Sequence, residues 1–234
     1  KRFIQAGVKV KVVITGNTKF DSIISQELVE LGIEWKRMFP EKSVWLASST
    51  RRNEEKQIFE VWAKNRPKQS LLVVVPRHPE RFDWVFAQAR NIGFKVMRRS
   101  EFLNKKLTPK LLIDIDVLIG DSMGEIAAYA SLTDLALIGG SVIDCGGQSP
   151  IELSSQLCPV FFGPFMTNFY DISNQLNLTE AGYQVHSYEE WINSGLQLIT
   201  DQKKFLASKK AAGEFVSKNK GASKLSVNMI QEIL

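Results

Sequence analysis

The sequence predicts a doubly wound α/β domain, in which a parallel β-sheet is covered by helices on both faces. Short apolar runs alternate with helical patterns along the chain, and polar or glycine-rich segments follow the apolar runs. Strands and helices that alternate at this spacing form parallel sheets. Of the 234 residues, 44% are hydrophobic and 24% are charged, which is typical of a globular protein with a sizeable core.

Six short apolar segments are predicted to form the strands: 8–15, 44–49, 71–75, 116–121, 135–140 and 159–164. The segments with helical spacing between them are 22–32, 53–65, 81–93, 123–132 and 150–157. Asn53 is expected to cap the second of these helices, which carries two glutamates in its first turn. Residues 100–110 are predicted to be a loop insert, and the chain is predicted to be helical from about residue 188. The expected organisation is a Rossmann-like domain over residues 1–200 and a helical tail over residues 201–234.

Charge and residue usage narrow the range of functions. The net charge of +5 suits a nucleotide, an anionic sugar, nucleic acid or an acidic membrane surface as partner. Cys145 and Cys158 lack CxxC spacing, which favours a reducing cytoplasm. His78 and His186 are far apart in the sequence, so no metal site is expected. No run approaches the ~18 apolar residues of a membrane span, and the first residues lack the pattern of a secretory signal.

Polar or glycine-rich segments follow the six predicted strands: 16–21, 47–55, 76–82, 120–126, 139–152 and 163–169. Turn chemistry explains any one of them, since Gly, Asp, Asn and Pro end strands in many contexts. Six at one sheet edge indicate a ligand site, because ligands bind beyond the carboxyl ends of parallel strands. Neither GxGxxG after a strand nor GxxxxGK[ST] occurs, which argues against a dinucleotide fold and a P-loop nucleotidase.

Arg77 directly follows a buried strand in the third of these segments. A guanidinium there can donate two parallel hydrogen bonds to a phosphate. The alternative for Arg77 is a surface salt bridge with Glu80. The neighbouring His78 serves equally well as a structural histidine.

The fourth segment, GDSMGEI, predicts a helix start. Either Asp121 or Ser122 is expected at the N-cap with Glu125 in the first turn, and this capping arrangement alone explains these residues. Free amides at such a helix start also suit polar ligand atoms. Met123 and Gly124 would let a planar base lie against the backbone.

The fifth segment combines flexible backbone, a helix start and a carboxylate. Glycine pairs at 139–140 and 146–147 permit close ligand approach and positive φ angles. Ser149 is then expected to cap a helix with Pro150 at its first position and Glu152 at its third. A carboxylate at that position either serves the cap or accepts hydrogen bonds from the hydroxyls of a ribose.

Together these segments resemble the C-terminal half of the bacterial 3-deoxy-D-manno-octulosonic acid (Kdo) transferases, which add Kdo from CMP-Kdo to a lipid A precursor. The resemblance spans about residues 8–200 and rests on GNTKFD, PRHPERF, GDSMGE, GGS followed by GG, PIE and GPFMTNF. Two segments depart from the family pattern. Arg51 or Arg52 replaces a His and Asn53 replaces a Gly, while Gln148 and Ser149 replace the His and Asn of GGHN. Ser149 keeps a capping oxygen, whereas Gln148 keeps a donor that does not titrate.

The resemblance implies one lobe of a GT-B glycosyltransferase that works without a metal or another cofactor. The sugar nucleotide would lie on this lobe, whereas the acceptor site and the catalytic glutamate base would lie in the N-terminal half, outside this sequence. The CMP contacts carried over from the family are Pro76, Arg77, Met123, Gly124, Glu125, Ser149, Pro150, Ile151 and Glu152. Further candidates are Ser49, His78, Gly140, Ser141 and Gln148.

The resemblance also implies a lipid A precursor as acceptor, no nucleic-acid partner, and a place on the cytoplasmic side of the bacterial inner membrane. Residues 201–234 carry seven lysines, and Val227, Ile230 and Leu234 predict an amphipathic last helix. We expect one of two roles for this tail. Either the apolar face of the last helix packs against the other lobe, or the lysines face an anionic membrane surface. Two alternatives remain open: a UDP-sugar 2-epimerase-like lobe, which shares the two-lobe plan, and a nucleotide-binding module without activity.

Overall fold

The computed structural model describes residues 2–10, 12–104 and 114–232. In these residues one sheet contains β1 Ser43–Thr50, β2 Ser70–Pro76, β3 Val96–Arg98, β4 Val117–Ile119, β5 Leu135–Ile138, β6 Val160–Phe162 and β7 Gly182–Gln184. The strand order is β3-β4-β2-β1-β5-β6-β7, and each recorded pairing is parallel. The chain builds outward from β1 in both directions, so the topological switch point lies between β1 and β5. The predicted doubly wound α/β fold is confirmed.

The described helices are α1 Arg2–Gln5, α2 Gln26–Arg37, α3 Glu54–Asn65, α4 Phe82–Asn91, α5 Arg99–Asn104, α6 Ile126–Leu132, α7 Ile151–Ser155, α8 Tyr170–Leu178, α9 Tyr188–Thr200, α10 Gln202–Lys218 and α11 Ala222–Gln231. Short 3-10 helices cover Thr18–Asp21, Pro79–Arg81 and Thr167–Phe169. None of the helices within the described ranges combines the length and apolarity that a membrane span requires.

Two apolar cores cover the two faces of the sheet, and β1 contributes to both. Successive side chains of a strand point to opposite faces, so Leu46 enters one core while Trp45 enters the other. On the second face the Trp45 ring lies 5.6 Å from the ring of Trp62 in α3 and 5.7 Å from that of Trp191 in α9. Burial on both faces explains the nearly continuous apolar runs of the central strands.

Five of the six predicted strands are confirmed, and the prediction for 8–15 is wrong. Residues 8–10 and 12–15 form no regular secondary structure, and Val10 and Ile14 are 75% and 87% exposed. A β-branched run forms a strand only where a neighbouring strand accepts its backbone hydrogen bonds, and none of the strands described above pairs with this segment. The edge strands β3 and β7 were not predicted, because each has only three residues and lacks a long apolar run.

The C-terminal residues are helical as predicted, with two interruptions. Asp201 separates α9 from α10, and residues 219–221 separate α10 from α11. The Asp21 carboxylate accepts hydrogen bonds from the amides of Gly221 and Ser223, which fixes the start of α11 to the 3-10 helix at Thr18–Asp21. Leu234, which completes the predicted apolar stripe, and most of the predicted loop insert at 100–110 lie outside the described residues; Arg99–Asn104 is helical.

Candidate functional site

A cleft of about 230 Å³ lies at the carboxyl edge of the sheet, beside the switch point. The ends of β1 and β2 and the segments that follow β4 and β5 form its walls. It is lined by Ser48, Ser49, Val75, Pro76, Arg77, Ser122, Met123, Gly124, Glu125, Ile126, Tyr129, Gln148, Ser149 and Glu152. The structure therefore brings together seven of the nine residues carried over as CMP contacts, together with Ser49 and Gln148.

Arg77 projects from the end of β2 with an exposed side chain. Its amide donates to the Thr50 carbonyl at 3.0 Å, which ties it to the end of β1. Among the described residues its guanidinium has no carboxylate partner. Glu80 lies instead 4.0 Å from His78 Nδ1, so the alternative salt bridge between Arg77 and Glu80 does not form. The Arg77 charge is therefore available at the mouth of the cleft.

Glu125 lines the cleft with both carboxylate oxygens engaged. The Arg99 guanidinium, which is 7% exposed, donates to Oε1 at 2.5 Å and stacks on Trp35. Ser122 Oγ donates to Oε2 at 2.5 Å and lies 2.7 Å from the Tyr129 hydroxyl. Burial raises the pKa of Tyr129, so this hydroxyl stays protonated. Glu125 is thus a fixed carboxylate within a buried network.

The start of α6 differs from the predicted capping box. The helix begins at Ile126, and Glu125 occupies the N-cap position, three residues later than expected for Ser122. Ser122 bonds the Glu125 side chain and not a backbone amide. Between them, Gly124 has a φ of +77° with no atom near the position a Cβ would take, and Met123 is 54% exposed. Met123 and Gly124 therefore form an open wall of the cleft.

The helix that follows the second glycine pair also begins one residue later than predicted. Gly146 and Gly147 adopt positive φ angles of 78° and 67°, as their positions predicted. Pro150 is at the N-cap position of α7, and Ser149 Oγ accepts a long hydrogen bond of 3.4 Å from the Ile151 amide.

Glu152 consequently falls at the second helical position, and no described residue hydrogen-bonds to its carboxylate. The side chain is exposed at the cleft, but the surrounding walls desolvate its carboxylate enough to raise its pKa, against the opposing effect of Lys19. A capping role for Glu152 is therefore not observed. Its carboxylate can accept hydrogen bonds from a ligand.

Several predicted contacts lie outside the cleft and have structural partners. Pro150 and Ile151 are buried at the start of α7, and Ile151 belongs to the core. Ser141 is fully buried; its Oγ donates to the Ile138 carbonyl at 2.5 Å and accepts from the Gly163 amide at 2.8 Å. The amide of Gly140 donates to Glu54 at 2.7 Å. These residues line no wall of the cleft, and their contact with a ligand stays a prediction.

Glu54 was not predicted as a site residue, yet it connects the two sides of the switch point. Its fully buried carboxylate accepts from the amides of Arg51 and Gly140 at 2.8 and 2.7 Å and from the Tyr188 hydroxyl at 3.0 Å. Burial raises its pKa, although both amide hydrogen bonds oppose the rise. Asn53 occupies the N-cap position of α3 in a left-handed conformation with a φ of +74°, and its side chain forms no cap.

The next residue, Glu55, forms a second buried connection. It accepts two hydrogen bonds from Arg81, at 2.5 and 2.9 Å, and one from Thr50 Oγ1 at 2.8 Å. Two consecutive glutamates at the start of the helix that follows β1 were the sequence signal for this network. Sequence alone could not separate it from ordinary helix-start chemistry. Within the described residues no cluster of three or more His, Cys, Asp or Glu side chains is suited to a metal ion.

Two known proteins are similar in sequence to this chain along its whole length. No family model matches it. The 3-deoxy-D-manno-octulosonic acid transferase of Haemophilus influenzae is 30% identical over 244 residues, and that of Bordetella pertussis is 29% identical over 238 residues; both alignments cover all of this chain. The chain is a homologue of the Kdo transferases. It spans about half of their length, 55% and 54% respectively.

Solved structures support the fold of this Kdo transferase homologue. The C-terminal CMP-Kdo binding domain of WaaA from Acinetobacter baumannii matches with a TM-score of 0.74 and 24% identity, over 82% of this chain and 99% of that domain. Anabaena HepE in complex with UDP and glucose matches with a TM-score of 0.59 and 15% identity, over 99% of this chain and 59% of that protein. At these identities the likeness establishes the fold alone, a Rossmann-like α/β domain.

Proposed function

We propose that the chain is the donor-binding domain of a glycosyltransferase that moves Kdo from CMP-Kdo to a lipid A precursor in lipopolysaccharide synthesis. The observation that supports this most directly is the cleft at the switch point. It gathers residues from four separate segments that the family resemblance assigns to CMP, in a chain that aligns with Kdo transferases over its whole length.

The cleft residues suit the parts of a cytidine nucleotide. The open wall at Met123 and Gly124 fits the planar base, and the unpaired carboxylate of Glu152 fits two ribose hydroxyls. The exposed Arg77 fits the phosphate. Negative charge builds up on that phosphate as CMP leaves the sugar, so a guanidinium fixed nearby stabilises the transition state.

The remaining parts of the reaction belong to the whole protein. We infer that the acceptor site and the glutamate that takes the proton from the acceptor hydroxyl lie in the half of the relatives that this chain does not span. The same proposal places the protein at the cytoplasmic face of the inner membrane, where a lipid acceptor is reached by peripheral contact.

Calorimetry with CMP and UMP, in buffer that contains a chelator, tests the proposed donor. We expect CMP to bind without metal and more tightly than UMP, because the cytosine and uracil edges present different hydrogen-bonding groups. Binding of UMP as tight as that of CMP, or tighter, would overturn the donor assignment and favour a UDP-sugar 2-epimerase-like lobe. Absence of binding to both nucleotides would overturn the proposed function.

A further inference from the structure

Arg51 is a second strongly held cation at the carboxyl edge of the sheet. It directly follows β1, its Nη1 lies 2.9 Å from His78 Nε2, and its Cγ would lie 3.2 Å from a Cβ placed on Gly140. Its Nε is buried and has no hydrogen-bond partner among the described residues. The side chain is therefore fixed in position while one of its donors is unsatisfied, and buried donors of this kind are rare in folded proteins.

The carboxylates around Arg51 are engaged elsewhere. The Glu54 carboxylate accepts hydrogen bonds from the backbone amides of Arg51 and Gly140 and from the Tyr188 hydroxyl. No described contact joins it to the Arg51 guanidinium. Glu55 is bound by Arg81 through two hydrogen bonds, and Glu80 lies nearest to His78. Within the described residues the Arg51 charge is not neutralised by any carboxylate.

Arg51 and Arg77 extend from neighbouring strand ends. Thr50 pairs with Pro76 in the register of β1 and β2, and the Arg77 amide donates to the Thr50 carbonyl. Two arginines thus follow adjacent strand ends next to the cleft, whereas CMP carries a single phosphate. In Arg51, Nη1 is directed to His78 and Nε is buried, which leaves Nη2 to donate a charge-assisted hydrogen bond to an anion.

We propose that Arg51 binds a second anionic group of the donor, the carboxylate of its sugar, while Arg77 binds the nucleotide phosphate. This inference rests on the proposed function, because it takes the donor to be a nucleotide that carries an acidic sugar. Arg51 would then be a specificity-determining residue that favours such donors over neutral sugars.

Calorimetry of the 234-residue chain with CMP and CDP tests the inference. The β-phosphate of CDP serves as a stable probe, because it places an anion next to the α-phosphate as the sugar carboxylate does. We expect CDP to bind about tenfold more tightly than CMP, which is the scale of a charge-assisted hydrogen bond. Arg51→Gln should remove most of this preference and change the CMP dissociation constant less than about twofold.

Arg52→Gln is the matched control, because Arg52 is an exposed arginine directly beside Arg51 in the sequence. It should leave the preference for CDP intact, and thermal unfolding of both variants reports whether the fold is kept. Arg51→Lys, which keeps the charge, should retain part of the preference. The inference is overturned if CDP binds no better than CMP, if the preference survives Arg51→Gln, or if Arg51→Gln weakens both ligands equally. Failure of CMP itself to bind overturns the proposed function and this inference with it.

Discussion

Individual residues at the cleft divide into those held by the protein and those available to a ligand. Glu125 has both oxygens bound by Arg99 and Ser122, and Glu54 is enclosed by two amides and a tyrosine hydroxyl. Arg77 and Glu152 have no such partners in the described part of the chain. A paired carboxylate costs little to keep ionised, whereas an unpaired one gains most when a ligand donates to it. Substitutions at Arg77 and Glu152 should therefore affect binding more than folding.

Arg77→Ala should weaken CMP binding by about 1–3 kcal/mol and cytidine binding much less. The reason is that its proposed partner is the phosphate, which cytidine lacks. Calorimetry with the two ligands measures the difference, and Arg52→Ala, another exposed arginine nearby, is the control. Equal losses for both ligands would move Arg77 to the base or to a structural role.

Glu152→Gln should weaken CMP binding by about 1–3 kcal/mol, the scale of a charged hydrogen bond to a ligand. The substitution keeps the size of the side chain and leaves the start of α7 unchanged, because Glu152 makes no capping bond. The thermal unfolding midpoint should therefore stay within about 1 °C, since a surface change away from such contacts has little effect. Unchanged CMP affinity would exclude a ribose contact for Glu152.

The pH dependence of cytidine binding provides a second readout of the same residue. Burial at the cleft raises the pKa of Glu152 above its usual 4.5, so the acceptor carboxylate is lost at a higher pH than for an exposed glutamate. Cytidine affinity should be constant near neutral pH and fall as the pH drops through the raised pKa. Cytidine avoids the titration of the CMP phosphate. In Glu152→Gln only the part of this fall that comes from protonation of the cytosine ring should remain, and an unchanged fall would exclude Glu152 as its source.

At the scale of secondary-structure elements, the sequence is sufficient to predict the central strands of the sheet. The strands β1, β2 and β5 are apolar on both faces, so burial alone identifies them. The segment 8–15 has a similar pattern, but pairing with a neighbour is a property of the whole fold. The helices α6 and α7 begin later than predicted, because the glycines and the proline before them permit more than one starting residue. Side-chain contacts such as that of Ser122 with Glu125 decide which residue starts the helix.

The site could be predicted in part for the same reason. Residues that end parallel strands meet at one edge, so the place of Arg77, Met123 and Glu152 follows from the strand order. The internal pairing of Gly140 and Ser141 could not be predicted. The Gly140 amide pairs with Glu54, which comes from another segment of the chain across the switch point, and Ser141 Oγ accepts from Gly163, which follows a different strand.

The packing of α2 against α6 should be sensitive to one methyl group. A Cβ on Gly32 would lie 2.1 Å from the Ala128 carbonyl oxygen and 2.7 Å from Ser131 Cβ. Gly32→Ala should destabilise the protein by about 1–3 kcal/mol, because this overpacking exceeds the gain in helix propensity of about 1 kcal/mol. Urea unfolding measures the change.

Gly213→Ala in α10 is the matched control for this helix contact. Its new Cβ would meet only the Leu157 side chain, whose Cδ2 lies 2.5 Å away and which is 47% exposed and free to move. Stability should therefore stay unchanged or rise by up to about 1 kcal/mol. A Gly32→Ala variant as stable as Gly213→Ala would show that the contact between α2 and α6 adapts to the added methyl group.

At the scale of the whole molecule, the tail helix α10 is part of the folded domain. Ala212, Phe215 and Val216 join the core beneath the sheet, so deletion of residues 201–234 would expose that core. A membrane role is better tested by charge. Lys203, Lys210 and Lys218 are exposed, and lysines near an anionic surface each contribute about 1 kcal/mol at low salt.

Triple substitution of these three lysines by Gln should lower co-sedimentation with anionic vesicles, with little effect on neutral ones. Replacement of Lys56, Lys64 and Lys68 by Gln removes the same charge from another part of the surface and is the control. Equal effects of the two triple variants, or no effect of either, would exclude a membrane-facing role for the tail.

The isolated chain should bind CMP yet transfer no Kdo. Inverting transfer needs a base placed at the acceptor hydroxyl. Glu125 is committed to Arg99 and Ser122, and Glu54 is fully buried. For Glu152 we propose a contact with the ribose. The chain also spans only 55% of the Haemophilus influenzae relative. With CMP-Kdo generated in the assay and a lipid A precursor present, we expect product from that full-length relative and none from this chain. Product formed by the chain alone would place the base in this lobe, and its loss in Glu125→Gln would identify Glu125 as that base.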